Sequence, residues 1–154
     1  QEALTEGTPF RSSDHDPVLV GISLSPQPTT FAMWVASQVW PEGADQGVSG
    51  DPDGDGLDNL AEFVMNLNPL LADAGKGTGA GREGEVFMLD FRQRTTATGV
   101  SVIPKWSDNL VDWFPMSVPV EQSEIDSVTK RYRSTQAIEG RDQMFGRLEI
   151  DIAP

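Results

Sequence analysis

The sequence predicts an α+β fold: an orphan N-terminal strand, then two short helices around an acidic loop, then a small all-β sandwich or sheet. Three observations carry this. Apolar, mostly β-branched residues run almost unbroken over 18–24. Apolar residues fall at helical spacing on either side of an acidic stretch, Asp51–Glu62. From residue 85 onward they alternate with a period of two. The chain has 154 residues, enough for one ordinary domain or two small ones. The pattern divides it into 1–25, 26–72, a glycine-rich linker at 73–84, and a β domain at 85–154.

The first segment ends in Pro17-Val-Leu-Val-Gly-Ile-Ser-Leu24, apolar on both faces and bounded by prolines. It reads as a strand that needs a neighbour on each side. Nothing nearby in the sequence supplies those neighbours. The expectation is self-association through residues 18–24, with the strand inserted into another copy's sheet.

In 26–72, Thr29 or Thr30 can cap a first helix, and Phe31, Trp34, Val35 and Val39 follow at helical spacing until Pro41 stops it. A second helix starts with Asn59 as its cap, presents Leu60, Phe63, Val64 and Leu67 on one face, and ends at Asn68-Pro69. Neither helix is long enough to be stable alone.

Between them lies Asp51-Pro-Asp-Gly-Asp-Gly-Leu-Asp-Asn-Leu-Ala-Glu62. Asp51, Asp53 and Asp55 place side-chain oxygens at alternate positions, and Gly56 permits a sharp turn. Leu57 offers a backbone carbonyl, Asn59 a further oxygen, and Glu62 a two-oxygen carboxylate. This is the spacing of a twelve-residue EF-hand calcium loop, which surrounds a hard cation with six to eight oxygens. Calcium is the predicted cofactor and partner, with Asp51, Asp53, Asp55, Leu57, Asn59 and Glu62 as its ligands. A sensor usually pairs two such loops. Only one is found here, and Asp58 stands where a paired loop carries an apolar residue, so a structural clip is favoured over a switch. A single loop of this kind is useful where calcium is plentiful, which points to an extracellular or bacterial cell-surface location.

The run Asp73–Gly84 is read as a flexible linker. Its spaced glycines lack the Gly-Lys-Ser/Thr ending of a phosphate loop. In the β domain, Phe87, Leu89 and Phe91 alternate with Met88, Asp90 and Arg92. Val100, Val102 and Trp106 form a second strand pattern, Leu148, Ile150 and Ile152 a third, and Val128–Tyr132 a weaker fourth. Trp106 and Trp113 flank the Ser107-Asp108-Asn109 turn and are expected to fill a core rather than stack on a sugar.

Bulk composition excludes several partners. There are 24 acids against 11 bases, a net charge of −13, so the segment is not expected to grip nucleic acid. With no cysteine it has no disulfides. No apolar run reaches the roughly 18 residues of a helical membrane span.

The single histidine sits in Ser13-Asp14-His15-Asp16-Pro17, a turn leading into the apolar run. This segment resembles the C-terminal motif of the endonuclease/exonuclease/phosphatase family. The resemblance implies that His15 would contact a scissile phosphate as base or acid, with Asp14 shaping its environment. It covers about 15 residues. The family's metal-binding glutamate, its Asn and Asp pair and its second histidine belong far upstream and have no counterpart here. The chain alone is therefore expected to lack phosphodiesterase activity, while a parent protein could be a metal-dependent nuclease. The later segments, Phe31-x-x-Trp34 through Asn68-Pro69, and Phe91-Arg-Gln-Arg94 with Trp106–Trp113, resemble a helical calcium module and a following β module common in large secreted bacterial proteins. The leading expectation is a non-catalytic, calcium-stabilised C-terminal region of a secreted nuclease-like or phosphatase-like protein, serving attachment or assembly. A structural subunit of an extracellular homo-oligomer built by strand donation comes second, and a carbohydrate- or surface-binding module third.

Overall fold

The structure, a computed structural model, describes residues 26–153. Strands make up 38% of it and helices 13%. That overturns the α+β expectation of a helix–calcium loop–helix module followed by a separate β domain. The two helices are one and a half to two turns long, and they pack on the sheets as part of one core. The orphan strand of 1–25, with His15 and Asp14, lies outside the described residues.

Helix α1 spans Phe31–Ser37, and α2 spans Asn59–Met65. Seven strands follow: β1 Thr78–Glu83, β2 Val86–Arg94, β3 Val100–Ser107, β4 Phe114–Pro115, β5 Val120–Asp126, β6 Thr129–Ala137 and β7 Phe145–Ile152. They form an antiparallel four-stranded sheet in the order β1-β2-β6-β5 and a three-stranded sheet in the order β4-β3-β7. The Phe87 ring of the first sheet crowds Gly146 of the second.

The alternation in β2 places Phe87, Leu89 and Phe91 inside, as its period of two requires. The glycine-rich run does not behave as a linker. A 3-10 turn at Ala74–Lys76 leads straight into β1, which pairs with β2 along its length, Thr78 opposite Phe91 and Glu83 opposite Val86. Glycine composition signals a lack of side chains to pack, and an edge strand whose side chains are all exposed has the same signature. β5 is also exposed along its whole length and carries no alternation to reveal it.

The helix caps also shift. Thr30 caps α1 by accepting a hydrogen bond from the Met33 amide at 3.2 Å. α1 ends at Ser37, which leaves Val39 exposed rather than on the apolar face. Asp58, not Asn59, caps α2, accepting from the Ala61 amide at 2.8 Å. α2 stops before Asn68-Pro69 because Asn66 adopts a left-handed conformation, φ 54° and ψ 52°. Asparagine tolerates that geometry.

Trp34, Leu60, Phe63 and Val64 make a buried cluster to which Phe31, Trp40, Val100, Val102 and Ile150 add partly buried surface. The helices therefore cover the β3 and β7 face. Burying such side chains contributes about 1.5–3 kcal/mol each. A second clamp ties α2 to the other sheet. The Arg94 side chain at the end of β2 is 3% exposed, donates from Nε to the Phe63 carbonyl at 3.1 Å and from Nη2 to Asn66 Oδ1 at 2.6 Å, and lies over the Phe63 ring. Asn66 in turn donates to Thr129 Oγ1 at 2.7 Å. Two sheets are thus joined through one short helix, and that helix opens from the acidic loop.

Candidate metal centre

The acidic loop folds back on itself through its own carboxylates. Asp51 Oδ1 accepts from the amides of Gly54 and Asp55 at 2.9 and 3.2 Å, and Asp51 Oδ2 accepts from Gly56 at 3.0 Å. Asp53 Oδ1 accepts from Asp55, and Asp55 Oδ1 accepts from Leu57 at 2.9 Å. The turn requires Gly56, whose φ of 92° is open to glycine and strained for other residues. These bonds engage both oxygens of Asp51 and leave Asp53 Oδ2 without a partner.

Two groups of carboxylates could hold a metal ion: Asp51, Asp53 and Asp55, and Asp55, Glu62 and Asp73. Within each group the ligand oxygens lie within 4.8 Å of one another. Asp55 belongs to both, so the acidic side chains form one continuous site. Glu62 is its innermost member. It is 0% exposed, and neither Oε1 nor Oε2 has a hydrogen-bond partner. Asp53 Oδ2 and Asp73 Oδ1 are likewise buried and unpaired. Buried polar atoms are almost always satisfied, so these four orphaned carboxylate oxygens call for an external partner.

The electrostatics agree. Burial, followed by the charges of Asp53, Asp55, Asp73 and Asp51, pushes the Glu62 carboxyl up to about 8. Burial, set against an amide bond from Asp55, also raises Asp53. For Asp55 burial opposes ionisation, but the amides of Leu57, Ala74 and Asp73 outweigh it and hold the carboxyl below its usual value. A divalent cation among them would remove the repulsion that raises Glu62.

Of the expected ligands, Asp51, Asp53 and Asp55 form one group and Glu62 adjoins Asp55 in the other, with Leu57 next to Asp55 in the turn. Asn59 is anchored through its amide nitrogen. Its Nδ2 donates to the carbonyls of Asp45 at 2.9 Å and Gly47 at 2.8 Å, which fastens the 45–50 loop to the start of α2. Its Oδ1 is buried without a partner. Asp73 is the residue the sequence pattern missed. It lies beyond the twelve-residue template, in a stretch read as linker, and only the chain's return after Pro69 brings it to Glu62.

The tryptophans of the β region offer no bare platform for a sugar. Trp106 is buried with the Arg141 guanidinium 4.6 Å from its ring centre, and the Arg147 guanidinium lies 4.2 Å from that of Trp113. Among the described residues no helix is long and apolar enough to cross a membrane. No protein-family model matches the chain, and no curated protein matches it. The functional reading therefore rests on the site.

Proposed function

We propose that this region is a non-catalytic, calcium-stabilised module of an exported protein, in which the ion fixes the acidic loop at the head of α2 and so secures the joint between the two sheets. The observation that supports it most is Glu62, a fully buried carboxylate with both oxygens unpaired among four other carboxylates. All available ligands are oxygens, and they come from carboxylates, a backbone carbonyl and the Asn59 side-chain amide. That set suits a hard cation, and the number of oxygens on offer suits calcium better than the smaller, octahedral magnesium. Among the described residues there is no histidine. The affinity class is that of extracellular modules, a Kd of about 10⁻⁴ to 10⁻³ M. Titration calorimetry of the full chain with calcium tests this. One site with a Kd in that range is expected, and no heat at millimolar calcium would end the proposal.

The nuclease connection is carried by Ser13–Pro17 alone, where the resemblance gives His15 and Asp14 their roles within a complete nuclease domain. The region then serves attachment or assembly for that enzyme and has no turnover of its own. A phosphate-ester hydrolysis by this chain that His15→Ala abolishes would contradict it.

A second reading, assembly by strand donation, gains support from β5. It is the outer strand of its sheet and leaves Val120 and Ile125 exposed. An unpaired strand edge is a template for another chain, and residues 18–24 have the composition to occupy one. Removing residues 1–25 then converts a self-associating chain into a monomer by light scattering. An unchanged mass removes this reading.

A further inference from the structure

We propose that Asp73 is a ligand of the same ion as Glu62, and that cation binding thereby latches the edge strand β1 onto the sheet. The inference rests on the metal reading above and extends it from the loop to the strand that follows.

Asp73 is placed by the site itself. Its amide and that of Ala74 both donate to Asp55 Oδ2, at 2.8 and 2.6 Å, so the loop's third aspartate holds the chain just where it turns toward β1. The Asp73 side chain is only 10% exposed. One oxygen, Oδ2, faces Lys76 Nζ at 3.3 Å, while Oδ1 is buried without a partner and belongs to the group with Asp55 and Glu62. Glu62, fully buried and unpaired in both oxygens, is the independent sign that a ligand belongs between them.

The consequence follows from how little else holds β1. All six of its residues are exposed, two are glycines, and it has one neighbour, β2. Backbone hydrogen bonds hold it to the sheet, with no buried side chain to help. Strands of this kind open locally at low free-energy cost unless an end is pinned. The pin is the run from Asp73 to Gly77. Gly77 passes so close to α2 that an added Cβ would lie 2.5 Å from Met65 Sδ, and its carbonyl accepts from the Arg92 amide at 2.9 Å. Without the cation, no group bridges Asp73 Oδ1 and the Glu62 carboxyl across this pin. With it, their shared ligand draws Asp73 onto the loop and fixes the register at which β1 starts. The released state would bare the β2 edge, whose unpaired backbone groups invite pairing with other chains.

The test uses the full chain. Hydrogen exchange followed by mass spectrometry, with calcium in excess and then with EDTA, reads residues 78–83 against residues 87–91. About tenfold faster exchange of 78–83 in EDTA is expected, with a much smaller change in 87–91. In calorimetry, Asp73→Asn, which keeps both backbone amides, is expected to weaken calcium binding by about tenfold or more while leaving the circular dichroism spectrum unchanged. Wild-type affinity in Asp73→Asn, or exchange at 78–83 indifferent to calcium, overturns the latch while leaving the metal site standing. Absence of calcium binding by the wild-type chain overturns both. Should Asp73→Asn fail to fold, the exchange comparison on the wild-type chain decides alone.

Discussion

Glu62 and Arg94 are both charged, both buried, and both set against α2, yet the fold treats them in opposite ways. Arg94 is satisfied from within: a carbonyl, an amide oxygen and the face of Phe63 surround it. Burial pulls its guanidinium below the usual arginine value, but arginine stays charged, and the surrounding acceptors meet that charge. Glu62 has no internal partner, and its nearest charged neighbours repel it. One is a permanent rivet between helix and sheet. The other is a buried carboxyl whose oxygens no internal group meets. A buried charge thus marks structure when its partners are internal and a ligand site when they are missing.

Breaking the rivet should have the largest effect. Arg94→Ala strands the Phe63 carbonyl and Asn66 Oδ1 and frees α2 from β2. We expect a loss of about 3 kcal/mol or more, with or without calcium, measured by urea unfolding. A loss that depends on calcium would erase the contrast with Glu62.

Removing the ion comes next. At calcium about 100 times the Kd, binding contributes about 2.7 kcal/mol, so EDTA is expected to lower the melting temperature by several degrees. Glu62→Gln sharpens this. It should abolish the calcium-dependent shift yet leave the chain in EDTA as stable as the wild type or more so, because without the ion Glu62 must take up a proton to be buried and Gln need not. A large destabilisation in EDTA would mean that Glu62 has an internal partner after all.

The smallest effect belongs to an ordinary, half-exposed ion pair, which calibrates the other two. Asp90 on β2 receives Arg133 Nε and Nη2 at 2.7 and 2.8 Å across the strand pair. Hydrogen bonds from Arg133, against some burial, hold Asp90 below its usual value. The folded chain therefore takes up this proton less readily than the unfolded one. The stability it contributes is complete above about pH 4 and is lost as the pH falls through the lowered value. Both side chains are partly solvated, so about 1 kcal/mol or less is at stake. Asp90→Asn should lower stability by about 1 kcal/mol or less at neutral pH and converge on the wild type in acid, which flattens the acid limb below about pH 4.

Local pattern was enough for much of this molecule. The strand Val86–Arg94 is legible because one face is buried and its residues alternate. The four loop carboxylates are legible because a chain that wraps a cation must present oxygens at fixed short intervals. The short apolar stripes of both helices follow for the same reason of periodicity. What sequence could not determine depends on contacts between distant segments. β1 and β5 bury no side chains, so no alternation announces them, and only their neighbours' open edges make them strands. The helices, read as a module of their own, join the sheets through Arg94 and Asn66, which look like ordinary surface residues until the fold buries them. Asp73 joins Asp55 and Glu62 in a group that could hold a metal ion because the chain returns to the loop after Pro69. Spacing along the chain determines a site built from one turn; tertiary packing decides which distant side chain completes it, because burial and proximity are properties of the folded core alone.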